Sequence, residues 1–376
     1  MRVVQVVTLV SEGGAFGGPP SVAVAQLQEM AARGHDVELV ALWRGRTPAP
    51  RRIGGVPFVS RRARTVVPGR GYLGLMHPLL LWDLWHAMGR AEMVHLHTGR
   101  DLVSLAALAV ARLRRTGFVV QTHGMVEPRT SVAARLFDRV YVPLVRRARC
   151  CLALIEEEQR ALTTVLGPKA PPLLRLGNGM PAPRQGADER PRDGHQVLFL
   201  ARLHPRKRPD KFVEMAALVH KEIPEARFTL YGTDEGSLQQ VNQLITDRGL
   251  DDVVRYGGAL DHSAALEAYR RATVYVLPSV NEPFGMTVLE ALAEGTPVVC
   301  TESCGIAEEL TRRQAAMVTD GSPQALATAV IQLLGDETLR RRLTEAGYRA
   351  IEEVFSIRAV VDRLEGIYRG SLPVEG

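Results

Sequence analysis

The chain has few cysteines. Four occur among 376 residues, and two of them, Cys150 and Cys151, are adjacent. This number and spacing give no disulfide framework, and they predict reduced thiols in a cytoplasmic protein. Cys300 and Cys304 are spaced like half of a metal site, but no second pair accompanies them. Small buried side chains are therefore the better interpretation of Cys300 and Cys304.

Long apolar runs are also missing. Residues 1–10 form an apolar run that is too short for a signal peptide, and we interpret it as a first strand. The longest later run, residues 78–85, is interrupted by Asp83 and falls well short of the ~20 residues that a membrane span needs.

Aromatic residues make up only 5% of the chain, and no zinc-ligand spacing or stacking signature is present. These features argue against a nucleic-acid-binding module.

The familiar nucleotide-binding motifs are absent as well. A glycine-rich stretch, residues 11–20, lies between the first strand and an amphipathic helix that we predict from residue 21 to about 33. Its spacing fits neither G-x-G-x-x-G nor a P-loop lysine, which argues against a dehydrogenase or a kinase. A mobile surface turn is the alternative interpretation of this stretch.

The length and the element pattern predict two domains. Apolar β-branched runs alternate with helical spacing, which favours parallel sheets with right-handed crossovers. Residues 181–194 are rich in proline, glycine and charge, as is typical of a linker. We therefore predict an N-terminal domain over residues 1–180 and a C-terminal domain over residues 195–355. By analogy with similar folds, residues 356–376 form a last helix that returns to the first domain.

Charge is unevenly distributed between these halves. Residues 1–190 hold 26 Lys and Arg against 14 Asp and Glu, whereas the remainder holds 21 against 27. The excess lies between residues 51 and 150 and is almost entirely arginine. Such a patch suits an anionic acceptor, a lipid-phosphate surface or nucleic acid, although an arginine-rich composition explains it equally well. Residues 71–88 add bulky apolar side chains in helical spacing. Such side chains suit contact with a membrane face, and a buried core helix explains them equally well.

The most informative stretch covers residues 272–299. A buried strand at 272–279 is followed by a helix that we predict to begin near Gly285 or Met286 and to end before Gly295. The amino end of such a helix binds phosphate because its backbone N–H groups are unpaired and its dipole is positive there. Glu282 precedes the helix and Glu290 lies about one turn inside it, so two carboxylates flank the anion site.

Glu282 and Glu290, with seven residues between them and Pro-Phe-Gly after the first, resemble the signature of glycosyltransferase family 4. The Gly-Thr-Pro-Val-Val exit of the helix matches too. The resemblance implies the GT-B fold, which is an α/β fold of two Rossmann-like doubly wound domains facing a cleft. It also implies a retaining, metal-independent enzyme that uses a nucleotide-diphosphate sugar, and no Asp-x-Asp occurs in the chain. The alternative makes Glu290 a solvated helix residue and Glu282 an ordinary loop acid.

The resemblance also assigns roles to residues. Glu290 would hold the ribose hydroxyls and Glu282 the sugar hydroxyls. Arg202 and Lys207 match the Arg-Leu-x-x-x-Lys-Gly element that neutralises the diphosphate, with Arg208 in place of the usual glycine. Solvated basic residues around a turn are the alternative. The backbone N–H groups that would complete the diphosphate site belong to Phe284, Gly285, Met286 and Thr287.

Four further positions complete the predicted site. His123 follows a strand at the carboxyl edge of the first domain and matches a histidine that lines the donor-sugar pocket, although a lone histidine is more often structural. Gly17 and Gly18 are the glycines expected to approach the donor diphosphate and the acceptor. Gly232 ends a strand of the second domain and is expected to contact substrate.

The resulting prediction is a retaining hexosyltransferase acting on a hydroxyl acceptor that is a glycan, a lipid-linked molecule or a natural product. We expect a cytoplasmic protein, with peripheral contact to the inner membrane face through the basic first domain, and no nucleic-acid partner. Two alternatives are a nucleotide-sugar epimerase or inverting transferase of the same architecture, and a non-catalytic nucleotide-sugar-binding protein.

Overall fold

A computed structural model describes residues 1–12, 18–69, 71–181 and 194–371. The chain divides into two compact units. Unit 1 consists of Met1–Gly179 together with Ile357–Gly376, and unit 2 consists of Met180–Ser356. Each unit is described by itself below.

The strands are named in chain order. They are β1 (Arg2–Ser11), β2 (Asp36–Arg44), β3 (Arg52–Ile53), β4 (Val56–Arg62), β5 (Arg64–Thr65), β6 (Leu75–Met76), β7 (Met93–His97), β8 (Phe118–Gln121), β9 (Cys151–Ala153), β10 (Leu173–Arg175), β11 (Gln196–Leu200), β12 (Arg227–Tyr231), β13 (Val254–Tyr256), β14 (Val274–Leu277), β15 (Val298–Thr301) and β16 (Met317–Thr319).

The helices follow the same convention. They are α1 (Pro19–Ala32), α2 (Pro78–Arg90), α3 (Leu102–Arg114), α4 (Val132–Val145), α5 (Glu156–Leu166), α6 (Pro209–Glu222), α7 (Leu238–Asp247), α8 (His262–Arg271), α9 (Met286–Ala293), α10 (Ala307–Arg312), α11 (Pro323–Gly335), α12 (Glu337–Ala350) and α13 (Ile357–Arg369). A π-helical turn, Ile351–Phe355, extends α12. No described helix combines the length and the apolar character that a membrane span requires.

Unit 1 is built on an eight-stranded sheet in the order β10-β9-β8-β7-β1-β2-β4-β3. Its ladders are parallel except the short β3–β4 pair. The two faces of the sheet carry separate cores. Helices α2, α3, α4 and α5 contribute to one core, whereas α1 and α13 contribute to the other. The last helix therefore packs on the first unit, although it follows the second unit in the chain.

Unit 2 is built on a six-stranded, wholly parallel sheet in the order β13-β12-β11-β14-β15-β16. The strand order moves outward in one direction from β11 to β13 and then restarts on the other side of β11 with β14. This reversal is the topological switch point of the sheet. Open α/β sheets bind ligands at such a point, outside the carboxyl ends of the strands.

Local boundaries differ from those predicted at a few places. The amphipathic helix predicted from residue 21 is α1, which already begins at Pro19. Residues 71–88 were expected to be helical, yet a 3-10 turn (Gly71–Gly74) and strand β6 precede α2. Helix α2 starts at Pro78 because proline has no N–H to donate and suits the first turn.

Candidate functional site

The charged part of the predicted site lies at the switch point of unit 2. Lys207 follows β11, and Glu282 follows β14. These two strands are hydrogen-bonded neighbours in the sheet, so their carboxyl ends deliver both side chains to the same edge. The structure thus brings together two residues that are 75 positions apart in the sequence.

Lys207 and Glu282 form a buried ion pair. The Lys207 ammonium contacts Glu282 Oε2, and both residues are less than a tenth exposed. The Glu282 backbone is fixed too, because its N–H donates to Ser303 O at 3.1 Å and its carbonyl accepts from Gly305 N–H at 2.8 Å. Removing one partner from such a pair leaves an uncompensated buried charge. The pair therefore sets both the local structure and the electrostatics of this edge.

Helix α9 begins beside this pair, as predicted, with Gly285 as its N-cap residue. Gly285 has φ 76°, and a Cβ atom there would lie 2.7 Å from Cys304 Sγ, so glycine is required for both conformation and space. As a glycine, this N-cap residue has no side chain that could cap the helix. The first N–H groups of a helix have no intrahelical partner, which leaves those near Met286 and Thr287 suited to an anion.

Side chains along α9 are oriented by two buried tyrosines. The Tyr275 hydroxyl lies 3.1 Å from Leu200 O and 2.8 Å from Thr287 Oγ1. The hydroxyl has one proton, which it donates to one of these two oxygens at a time. Tyr269 donates to Glu290 Oε2 at 3.2 Å, while burial raises the pKa of the Glu290 carboxyl.

Phe284 has a structural side chain. Its ring is buried and packs edge-on against Phe355 at 6.2 Å between centroids. Only its backbone remains for the predicted phosphate contact.

Arg202 lies at the same sheet edge but is exposed. Its Nη1 donates to both carboxylate oxygens of Glu235 at 2.9 Å. Gly232 allows the ends of β11 and β12 to approach closely, because a Cβ atom there would lie 1.9 Å from Ala201 O. Arg208, which replaces the usual glycine, has φ 51° and so adopts the left-handed backbone that glycine favours.

His123 belongs to a buried polar chain in unit 1. Its Nε2 lies 2.7 Å from His97 Nδ1, and the two rings stack at 5.0 Å between centroids. His97 also stacks on His95, whose Nδ1 lies 2.8 Å from the Tyr368 hydroxyl on α13. Burial lowers the pKa of all three imidazoles, to about 3 for His95, so each is neutral at pH 7.

The partners in this chain determine the tautomer of His123. Gln5 Nε2 donates to Gln26 Oε1 at 3.1 Å, so Gln5 presents its amide oxygen to His97 Nε2 at 2.8 Å. His97 must therefore carry its proton on Nε2 and accept at Nδ1. It follows that His123 donates from Nε2 and keeps a lone pair on Nδ1.

The loop around His123 is held by Glu158. This buried carboxylate accepts from Thr122 Oγ1 and Gly124 N–H, both at 2.5 Å, and from Leu154 N–H at 2.6 Å. His123 itself has φ 51°, a conformation that a non-glycine residue keeps only when its surroundings impose it.

The predicted glycines of the first loop are only partly described. Gly18 is the N-cap residue of α1 with φ 58°, and apart from its chain neighbours no described residue has an atom within 4 Å of a Cβ placed there. Gly17 lies outside the described residues. No group of three or more potential metal ligands occurs within the described ranges.

Sequence reasoning missed the residues that support the site. Gln5 contacts the His97 imidazole, and His97 contacts that of His123. Glu158 binds backbone N–H groups around His123. Two further residues, Tyr275 and Cys304, lie against α9 or its N-cap glycine. A polar residue inside an apolar strand was the available signal for Gln5 and His97, because a buried polar side chain requires a partner.

Two family models match this chain. The one described as "Glycosyl transferase 4-like domain" matches residues 17–179, and the one described as "Glycosyl transferases group 1" matches residues 185–350. The chain belongs to the group 1 glycosyltransferases of the family 4 type. The predicted family is thereby confirmed.

Among curated relatives of this chain, the D-inositol 3-phosphate glycosyltransferase of Thermomonospora curvata is 33% identical over 213 residues, which are 53% of this chain. The chain spans 49% of the length of that relative. The alpha-D-kanosaminyltransferase of Streptomyces kanamyceticus is 27% identical, with 92% of this chain and 97% of the relative covered.

Solved structures show the same fold. The structure of Anabaena Alr3699/HepE in complex with UDP has a TM-score of 0.74 at 16% identity, covering 98% of this chain and 100% of that one. The expected GT-B class, with two Rossmann-like units, is confirmed by this similarity.

Proposed function

We propose that the protein is a retaining glycosyltransferase that moves a hexose from a nucleotide-diphosphate sugar to a hydroxyl acceptor without a metal ion. The observation that carries the proposal is the Lys207–Glu282 ion pair at the switch point of unit 2, beside the start of α9, whose N-cap residue is a glycine. Family membership and the UDP bound by the structurally similar HepE support it.

In this proposal the diphosphate lies at the start of α9. Backbone N–H groups from Phe284 to Thr287 and the ammonium of Lys207 stabilise its charge. Negative charge grows on the leaving diphosphate as the anomeric C–O bond breaks, so fixed donors stabilise the transition state more than the ground state. Arg202 joins them by exchanging Glu235 for phosphate.

The two acids then contact hydroxyl groups. Glu282 accepts from the sugar and Glu290 from the ribose, where Tyr269 keeps the carboxylate oriented. The acceptor oxygen bonds to the anomeric carbon on the face that the diphosphate leaves, and its proton passes to a phosphate oxygen. No protein nucleophile is then needed.

His123 contributes a neutral contact. His123 donates its Nε2 proton to His97. The Nδ1 atom of His123 therefore keeps a lone pair and accepts a hydrogen bond from a substrate hydroxyl. Gly17 and Gly18 would let backbone approach the substrates in unit 1.

Donor selection and product configuration test the proposal. Thermal-shift screening with uridine, guanosine and adenosine diphosphates should identify one nucleotide that raises the melting temperature. Turnover of the corresponding α-linked donor with an acceptor panel should give an α-linked product by NMR. A β-linked product rejects retention, and tight donor binding without turnover favours a non-catalytic binder.

Glu290 offers a matched pair of variants. Glu290→Ala should reduce kcat/KM by roughly 10–100-fold because a charged hydrogen bond to ribose is lost, whereas Tyr269→Phe keeps the carboxylate and should have a smaller effect. Full activity of Glu290→Ala would contradict the assigned role.

A further inference from the structure

Exposed large apolar side chains are confined to one region of the described chain. All of them lie between residues 66 and 140 of unit 1, and none lies in the described part of unit 2. They are Val66, Val67, Tyr72, Leu79, Leu81, Trp82, Trp85, Leu113, Val132, Leu136 and Val140.

Most of these side chains belong to three helices that share one core. Helices α2, α3 and α4 bury their inner faces against the same side of the unit 1 sheet. Their outer faces form what we call the apolar helical face. It consists of Leu79, Leu81, Trp82 and Trp85 on α2, Leu113 on α3, and Val132, Leu136 and Val140 on α4.

Helical spacing shows that this exposure is organised. Leu80, Leu84 and Met88 of α2 are fully buried, so Trp82 points away from the core and is 64% exposed. On α4, Val132, Leu136 and Val140 recur every four residues and form a continuous outward stripe, with Leu136 65% exposed. Both helices are therefore apolar on an outer face as well as on the inner one.

Positive charge accompanies the apolar helical face. Exposed arginines lie on its helices or directly after them, and they are Arg90, Arg112, Arg114, Arg115, Arg135 and Arg139. Arg114 also stacks over the Trp85 ring at 4.6 Å. The two acids of α2 and α4 are neutralised within the unit, because Asp83 pairs with Arg61 and Asp138 pairs with Arg100.

We propose that the apolar helical face docks on an anionic lipid bilayer. Exposed tryptophan and leucine side chains enter the boundary between headgroups and acyl chains, while arginines bind lipid phosphates. A second copy of this chain is disfavoured, because a two-fold contact would bring like-charged arginines together. The proposal uses none of the residues assigned to sugar transfer and does not depend on the reaction.

Vesicle sedimentation tests the proposal without donor or acceptor. The full chain should pellet with phosphatidylcholine vesicles that also contain the anionic lipid phosphatidylglycerol, and pure phosphatidylcholine should bind it weakly. Raising the salt concentration should weaken the anionic binding, since the attraction is screened.

Two pairs of variants separate the apolar from the charged contribution. Trp82→Ser with Leu136→Ser should reduce the fraction bound at least several-fold, whereas Trp82→Phe should retain most of it. Arg135→Gln with Arg139→Gln should weaken binding roughly 30-fold, at about 1 kcal/mol for each arginine. The matched control, Arg248→Gln with Arg342→Gln, removes two exposed arginines of unit 2 and should change little.

Three results would overturn the proposal. One is no binding to anionic vesicles by the wild-type protein. Another is equal loss of binding in the unit 2 control. The third is a concentration-dependent dimer, seen by light scattering and abolished by Leu136→Ser, because the face would then be a contact between copies. Since all the substituted residues are exposed, unchanged melting temperatures will show that the variants are folded.

Discussion

The two units place chemically opposite groups at the carboxyl edges of similar parallel sheets. Unit 2 presents a lysine, a glutamate and a helix amino end, all suited to charge. Unit 1 presents three stacked histidines that burial keeps neutral. The same strand-helix architecture thus carries charged side chains at the sheet edge of one unit and uncharged polar side chains at that of the other, depending on which side chains the strands supply.

The largest expected effect comes from breaking the charged pair of unit 2. Lys207→Met leaves the Glu282 carboxylate buried without its ammonium. We expect a loss of about 3–5 kcal/mol in the free energy of unfolding, and kcat/KM should fall by roughly 10²–10³. Urea denaturation and initial-rate kinetics measure the two effects.

A double variant separates structure from catalysis. Lys207→Met with Glu282→Leu removes both charges and should recover most of the stability but none of the activity. Lys221→Met, at an exposed lysine of the same unit, is the control. Wild-type activity in Lys207→Met would show that the pair is only structural.

Acid should weaken the two units differently. His95 and His97 are neutral when folded, but in the unfolded chain they gain protons below their ordinary pKa of ~6.5. Unfolding then takes up protons, so the stability of unit 1 falls as pH drops from ~6.5, by up to about 1.4 kcal/mol per pH unit for each histidine. Glu290 affects stability in the opposite direction. Because burial raises its pKa, the folded state binds the Glu290 proton at a higher pH than the unfolded state does, and this group adds stability as the pH falls.

Hydrogen exchange resolved by strand measures this difference. Amides of β7 and β8 should lose protection between pH 6.5 and 4.5 faster than those of β14 and β15. His95→Phe removes one titrating group, so it should make the unit 1 slope shallower. Identical slopes for both units would contradict the neutral histidine chain.

An intermediate effect is expected where α9 begins. Gly285→Ala introduces a Cβ at φ 76° and 2.7 Å from Cys304 Sγ, so both strain and overlap result. We expect about 1–3 kcal/mol of destabilisation. Adding Cys304→Ala removes the overlap but not the backbone strain, and should restore part of the loss in denaturation experiments. No recovery would mean that the sulfur contact is unimportant.

The smallest effect concerns the exposed ion pair of unit 2. Glu235→Gln releases Arg202 and should change stability by less than ~1 kcal/mol, as surface pairs contribute little. Nucleoside diphosphate affinity, measured calorimetrically, should rise slightly, by less than ~5-fold. A marked loss of affinity would assign Glu235 itself to the ligand site.

The sequence was sufficient to predict the elements that local patterning determines. The start of α9 followed from Gly285, and the buried strands followed from β-branched runs. The Lys207–Glu282 contact was not predictable, because the sequence placed both residues at one edge without showing that they bind each other. The histidine chain was missed for a similar reason: whether His97 binds metal, substrate or another side chain depends on Gln5, 92 residues away. Arg208 is a further case that the sequence alone does not predict. Arginine disfavours the left-handed backbone that this residue adopts, so the surrounding structure imposes the conformation.

Helix α13 has a practical consequence for dissecting the molecule. Its Val361, Leu364 and Tyr368 side chains complete one core of unit 1, and Tyr368 contacts the histidine chain through His95. A fragment cut after residue 179 would therefore expose the apolar groove that α13 fills. In such a fragment His95 would lose its hydrogen-bond partner, the hydroxyl of Tyr368. Grafting residues 357–371 back through a short flexible tether is the way to obtain unit 1 as a self-standing protein.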